Sequence, residues 1–175
     1  MNLLETERLI LCELTKNDAE FMLNLMNDPS WLRFIGDRNV RTVNDAEAYI
    51  SNKLVPSYAT FGFGFYLTKL KEEDIPIGIC GLIKRPALEH IDVGFAFMPQ
   101  YRGNGYGFES ASAVLNYAKN DLGINYIVAL TDLDNVPSIK LLEKLGLKFE
   151  KIIQLDGKEK QCRLFVPRKT SIQSQ

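Results

Sequence analysis

Three glycines alternate at Gly103, Gly105 and Gly107, between an extended apolar run and an amphipathic one. Glycines let a loop turn tightly and let its backbone approach a ligand with no Cβ in the way. The first N–H groups of the helix that follows lack intrahelical partners and point outward with the positive end of its dipole. Together these features suit phosphate or pyrophosphate, and Arg102 adds a charge-assisted contact. A glycine-rich turn that only connects strand to helix is the plain alternative. Two phosphate motifs do not fit. A P-loop needs Gly-Lys-Ser/Thr, but Phe108 follows Gly107; a dinucleotide GxGxxG fingerprint from Gly103 needs glycine where Phe108 stands.

The elements around this stretch follow from periodicity. Arg8 to Leu14 reads as a strand. Asn17 or Asp18 caps a helix carrying Phe21 and Leu25 inward, and Asp28-Pro29 stops it. Asn44 or Asp45 caps a second helix to about Leu54, ended by Pro56. Phe61, Phe63, Phe65 and Leu67 alternate, as do Ile75, Ile77, Ile79, Gly81 and Ile83, predicting an antiparallel hairpin. A third strand runs from Ile91 to Met98. After the glycines the period changes. Phe108, Ala111, Leu115, Ala118 and Leu122 mark a helix ending at Gly123. A strand over Ile124 to Leu130 and a helix over Asn135 to Leu145 come next, with Pro137 in the first turn and Gly146 as the stop. A closing hairpin joins Phe149–Leu155 to Gln161–Val166 around Asp156-Gly157. A meander joined to a β-helix-β unit predicts a mixed α/β sheet rather than a doubly wound one.

Arg102-Gly-Asn-Gly-Tyr-Gly107 matches the Arg/Gln-x-x-Gly-x-Gly/Ala motif of the GNAT superfamily of N-acetyltransferases, which the chain resembles over roughly residues 6–166. Thr6-Glu7-Arg8-Leu9 resembles the opening of the subgroup that acetylates N-termini of ribosomal proteins. Asp92-Val-Gly-Phe95 resembles the family's fourth strand, and Asn135-Val-Pro-Ser138 with Leu142-Glu-Lys-Leu-Gly146 its late helix. The resemblance implies an α/β (α+β) fold. Its mixed, mostly antiparallel twisted sheet has about seven strands and about four helices, with the fourth and fifth strands parallel and splayed. One domain would span residues 1–167, followed by a polar tail at 168–175.

The resemblance also implies acetyl-CoA as cosubstrate and no metal. The pyrophosphate would sit on the loop from Arg102 through Gly103, Asn104, Gly105 and Tyr106 to Gly107. The pantetheine arm would pair like an added strand beside Phe97 and Met98, with Asn135 and Ser138 on its other side. Acetyl would pass directly to an amine that has lost its proton, a backbone N–H near Phe97 or Met98 polarising the carbonyl. The usual general-acid tyrosine is replaced by Leu142, leaving Ser138 as a candidate donor or a helix cap. Asp92 is a candidate base, or a salt-bridged strand residue. Glu109 near the helix start favours the dipole. Trp31, Phe34, Ile35 and Tyr58 are candidates to line the acceptor pocket, and Trp31 alternatively fills the core. The acceptor is a protein N-terminus or a small-molecule amine. An acyl-CoA sensor without turnover is the competing reading, kept open by Leu142.

Composition removes other classes. The 175 residues carry 21 Lys and Arg against 22 Asp and Glu, a net charge of −1, which gives no strongly basic nucleic-acid surface. Hydrophobic residues at 46% and charged residues at 25% describe an ordinary globular chain. One histidine, His90, and three scattered cysteines, Cys12, Cys80 and Cys162, make neither a zinc site nor a disulfide framework. No apolar run has the length of a membrane span. A reduced cytoplasmic protein, monomer or homodimer, is expected.

Overall fold

The computed structural model describes residues 2–155, 157 and 159–169. Asp156 of the expected turn and residues 170–175 of the tail lie outside these. Five strands form an antiparallel sheet in sequence order: β1 (Asn2–Glu5), β2 (Leu9–Glu13), β3 (Phe65–Leu70), β4 (Pro76–Ile83) and β5 (Asp92–Phe97). A second antiparallel sheet has the order β6 (Ala129–Asp132), β8 (Gln161–Pro167), β7 (Leu147–Gln154). The two meet where Asp92 and Val128 form a parallel bridge. Val93 N–H donates to Val128 C=O at 2.9 Å, and Val128 N–H to Ile91 C=O at 3.0 Å. Beyond that bridge no backbone ladder joins β5 to β6 among the described residues. The strands splay there, and a cleft opens.

The helices cover both faces of the first sheet. On one face, α5 (Tyr106–Asn120) and α6 (Val136–Lys144) bury Ala111, Val114, Ala118 and Leu142 against Leu9, Leu11, Tyr66, Cys80 and Val93. On the other, α1 (Ala19–Met26), α2 (Pro29–Phe34) and α3 (Val43–Tyr49) bury Met22, Leu25, Met26, Trp31 and Ala46 against Leu67 and Ile79. Removing a side chain such as the fully buried Met22 costs about 2–5 kcal/mol.

Several boundaries differ from the sequence expectation, each for a local reason. Thr42, not Asn44 or Asp45, caps α3: its Oγ1 accepts from Asp45 N–H while Asp45 Oδ2 accepts from Thr42 N–H, both at 3.0 Å. Pro56 does not end that helical segment. The backbone widens to a π-turn over Ile50–Leu54, with Val55 N–H reaching Ile50 C=O, and continues as α4 (Val55–Phe61). Proline sits in the first turn of α4, and the wide turn before it absorbs the ring's clash with the preceding carbonyl. The alternation of Phe61 and Phe63 therefore belongs to a helix end, closed by Gly62 at φ 78°, and β3 starts only at Phe65. Asp28 ends α1 as expected but also starts α2, where its carboxylate accepts from Ser30 N–H at 3.1 Å.

Candidate active site

The glycine loop leads directly into α5. Gly105 takes the left-handed conformation, φ 83°, at the N-cap. The first bond of the helix runs from Glu109 N–H to Gly105 C=O at 3.0 Å, so the N–H groups of Tyr106, Gly107 and Phe108 precede the ladder. A Cβ at Gly103 would meet nothing within 4 Å, which is open space beside those amides. A Cβ at Gly107 would lie 3.0 Å from Leu141 Cδ2, so this glycine sets the close packing of α5 on α6. Arg102 departs from the expected cradle. Its own N–H already donates to Pro99 C=O at 3.2 Å.

The Thr6-Glu7-Arg8-Leu9 segment explains how the loop is held. Glu109 Oε1 accepts from Thr6 Oγ1 at 2.6 Å and from Arg8 N–H at 2.8 Å, and Oε2 accepts from Arg8 Nε at 2.7 Å. Arg8 Nη1 donates to Asn104 C=O at 3.0 Å, and the guanidinium stacks 4.4 Å from the Tyr106 ring centre. Glu109 thus does more than favour the dipole: it ties the β1–β2 turn to the start of α5. Burial raises the Glu109 pKa, but the bonds from Thr6 and Arg8 outweigh it and hold the carboxyl below its usual range. A lowered folded pKa stabilises the native state above the unfolded value. That stability is lost as pH falls through the folded value. Wild-type melting temperature is therefore expected to fall with acid below about pH 4.5 more steeply than that of Glu109→Gln. Parallel Tm–pH curves for the two proteins would contradict this.

The splay between β5 and β6 makes a cleft of about 460 Å³, whose lining includes Trp31, Phe34, Phe97, Thr131, Asn135 and Ser138. Strand alternation decides which backbone groups face it. Met98 N–H donates to Ile77 C=O at 2.9 Å, toward β4. Val93 N–H, of opposite parity, points toward β6. Phe95 and Phe97 share that parity, so their N–H groups face the cleft. Met98, expected beside the cofactor, is instead bonded into the sheet, and its side chain packs with the α1–α3 core.

Arg102 turns back into this cleft. Its Nε and Nη2 donate to Phe97 C=O at 3.0 and 2.7 Å, Nη2 also to Asp28 Oδ2 at 2.9 Å, and Nη1 to Ser30 Oγ at 3.0 Å. The expected phosphate contact of this side chain gives way to a strut between the loop and α2, because the buried Asp28 carboxylate competes for the same cation. Trp31 belongs to the core, with Nε1 donating to Gly36 C=O at 3.1 Å, and also borders the cleft beside Phe34. Tyr58 is a correction. It lies outside the cleft lining, its hydroxyl accepting from Leu14 N–H and donating to Phe65 C=O, its ring stacked on Tyr66. Burial pushes its pKa up.

Residues 8–148 match the family model of the acetyltransferase (GNAT) domain. The chain belongs to the GNAT acetyltransferase family. It is similar to YnaD of Bacillus subtilis, an uncharacterized N-acetyltransferase, at 26% identity over 83% of this chain and 82% of that one. Its fold matches an acetyltransferase of Agrobacterium tumefaciens with a TM-score of 0.81, at 21% identity over 97% of this chain and 95% of that one. It also matches RimL, a ribosomal alpha-N-protein acetyltransferase solved in complex with coenzyme A, with a TM-score of 0.79 at 14% identity, over 95% and 97% of the two chains.

The candidate acid and base residues are arranged differently from the sequence expectation. Leu142 is buried in the core beneath α5 and α6. Ser138 and Asn135 line the cleft, with Asn135 Oδ1 capping α6 by accepting from Ser138 N–H at 3.3 Å. Asp92 is moved out of the cleft. It sits at the opposite end of β5, 2% exposed, with Oδ1 accepting from Arg85 Nε at 3.1 Å. The strand ladder explains this: the cleft opens only past the Asp92–Val128 bridge. The carboxylates that do line the cleft are Asp28, expected only as a helix stop, and Asp132, unforeseen. A hydrophobic strand ending in Asp132, three residues before Asn135, was the available signal. Cys80 is a core thiol, pushed up to about 12 by burial. Among the described residues no group of His, Cys, Asp and Glu is placed to hold a metal, and no helix is long and apolar enough to cross a membrane.

Proposed function

We propose that this chain transfers acetyl from acetyl-CoA to a primary amine by direct attack within a ternary complex, the acceptor being a protein N-terminus or a small molecule. The observation that carries this reading is one continuous site. The unpaired amides at the start of α5 open onto the cleft that the Phe97 N–H faces. The cosubstrate supplies an activated thioester. The amides of Gly103 to Gly107 hold its pyrophosphate, and the space beside Gly103 accommodates it. The Phe97 N–H polarises the acyl carbonyl. Asn135 and Ser138 line the pantetheine channel, and the Ser138 hydroxyl donates to the departing thiolate. Trp31 and Phe34 bound the acceptor side. The acceptor gives its proton to water rather than to Asp92, which is buried elsewhere. RimL supports a protein N-terminus by its fold only.

Acetyl-CoA at about 100 times its Kd should stabilise the fold by about 2.7 kcal/mol. CoA release across a panel of amines and N-terminal peptides then identifies the acceptor. No thermal shift at saturating acetyl-CoA would overturn the reading.

A further inference from the structure

Two carboxylates line the cleft, and each holds a cation of its own chain, but the two cations differ in how firmly they are fixed. Asp28 is paired with Arg102, whose guanidinium makes further bonds to Phe97 C=O and Ser30 Oγ. Asp132 stands at the end of β6, its side chain 7% exposed. One oxygen accepts from Asp134 N–H at 3.0 Å, and the other pairs with Lys160 Nζ. Lys160 arrives from the β7–β8 connection, is 60% exposed, and makes one other bond, to Arg33 C=O at 2.8 Å. It therefore links the end of β6 to the end of α2 on a long, solvated stem, next to the cleft-lining Phe34. Burial raises the Asp132 pKa, but the bonds from Lys160 and Asp134 and the charge of Arg33 hold it below the usual range. The group stays ionised at neutral pH and is a poor proton acceptor, while remaining a good anchor for a cation.

We propose that Asp132 anchors a second, non-reacting cationic group of the acceptor, and that Lys160 is the internal ammonium this group displaces. The preferred acceptor is then a primary amine carrying a further ammonium, as in a diamine or a peptide with a basic side chain. A primary ammonium already lying on a buried carboxylate in the cleft is the same chemistry, supplied by the chain itself. This inference rests on the amine acetyl-transfer reading above.

The test compares acceptors that differ by one ammonium: putrescine against butylamine, and glycyl-lysinamide against glycyl-norleucinamide, with CoA release as the readout. The wild-type chain should favour the dication in at least one pair by about tenfold in kcat/KM, and Asp132→Asn should bring that ratio near one through KM. The pair that responds identifies a diamine or a peptide as the source. Lys160→Met should lower KM for the dication several-fold by removing its competitor, with acetyl-CoA affinity unchanged. A ratio near one in wild type, or an equal ratio in Asp132→Asn, overturns the anchor. If no amine releases CoA, the transfer reading fails. The anchor is then judged separately by whether putrescine or glycyl-lysinamide raises the Tm of the acetyl-CoA-loaded wild type but not of Asp132→Asn. Equal responses of the two proteins reject it.

Discussion

Gly105→Glu is expected to abolish acetyl-CoA binding, read as complete loss of the ligand-induced thermal shift and at least a hundredfold rise in Kd. Three effects act together. The N-cap of α5 holds φ 83°, where a side chain costs about 1 kcal/mol or more. A Cβ there would lie 3.3 Å from Arg8 Nη2, pressing on the residue that also holds Asn104 C=O and Glu109. The new carboxylate adds negative charge beside the amides proposed to hold the pyrophosphate. Gly105→Ala separates these effects: it keeps the strain without the charge and should retain a weakened but measurable shift. If Gly105→Glu binds acetyl-CoA as wild type does, the loop is only a connection.

Arg102→Met is expected to lower the Tm of the ligand-free protein by about 5–10 °C, the equivalent of roughly 2–3 kcal/mol. The variant leaves the Asp28 carboxylate, with its side chain 6% exposed, without the cation now 2.9 Å away, and strips Phe97 C=O of its donors. Asp28→Asn keeps a capping side chain at the start of α2 while removing the charge. The double variant should therefore recover part of the loss, giving a coupling energy of about 1 kcal/mol or more in the cycle. A different role for Arg102 gives a different pattern. Were its side chain a phosphate ligand, as the motif suggested, Arg102→Met would raise the acetyl-CoA Kd and leave the ligand-free Tm unchanged.

Much of the fold was legible because its signals are local. The period of three and four from Phe108 to Leu122, the proline in the first turn of α6 and the alternation over β4 each depend on neighbouring residues. The misread stretch, Pro56 to Phe63, shows the limit. Proline and alternating phenylalanines carry ordinary local meanings, but a π-turn upstream lets the helix run on to Gly62. The cap of α3 moved by two or three positions for a similar reason, since Thr42 forms reciprocal bonds with Asp45, three residues on, whereas α1 starts after Asp18 as expected.

The candidate site divides along the same line. Glycines between a strand and a helix, with Asn135 ahead of a later helix, were enough to point to an anion cradle and, through resemblance, to acetyl-CoA. The left-handed glycine at the helix start and the amides ahead of its ladder are local backbone features, so the sequence by itself determined that geometry. Partners distant in sequence were a matter for tertiary structure alone. It joined Arg102 to Asp28 across 74 residues and Arg8 to Glu109 across 101, took Asp92 out of the cleft, and brought Lys160 onto Asp132. A charge finds its counterpart by proximity in the folded chain, and burial decides which of several oppositely charged groups it meets.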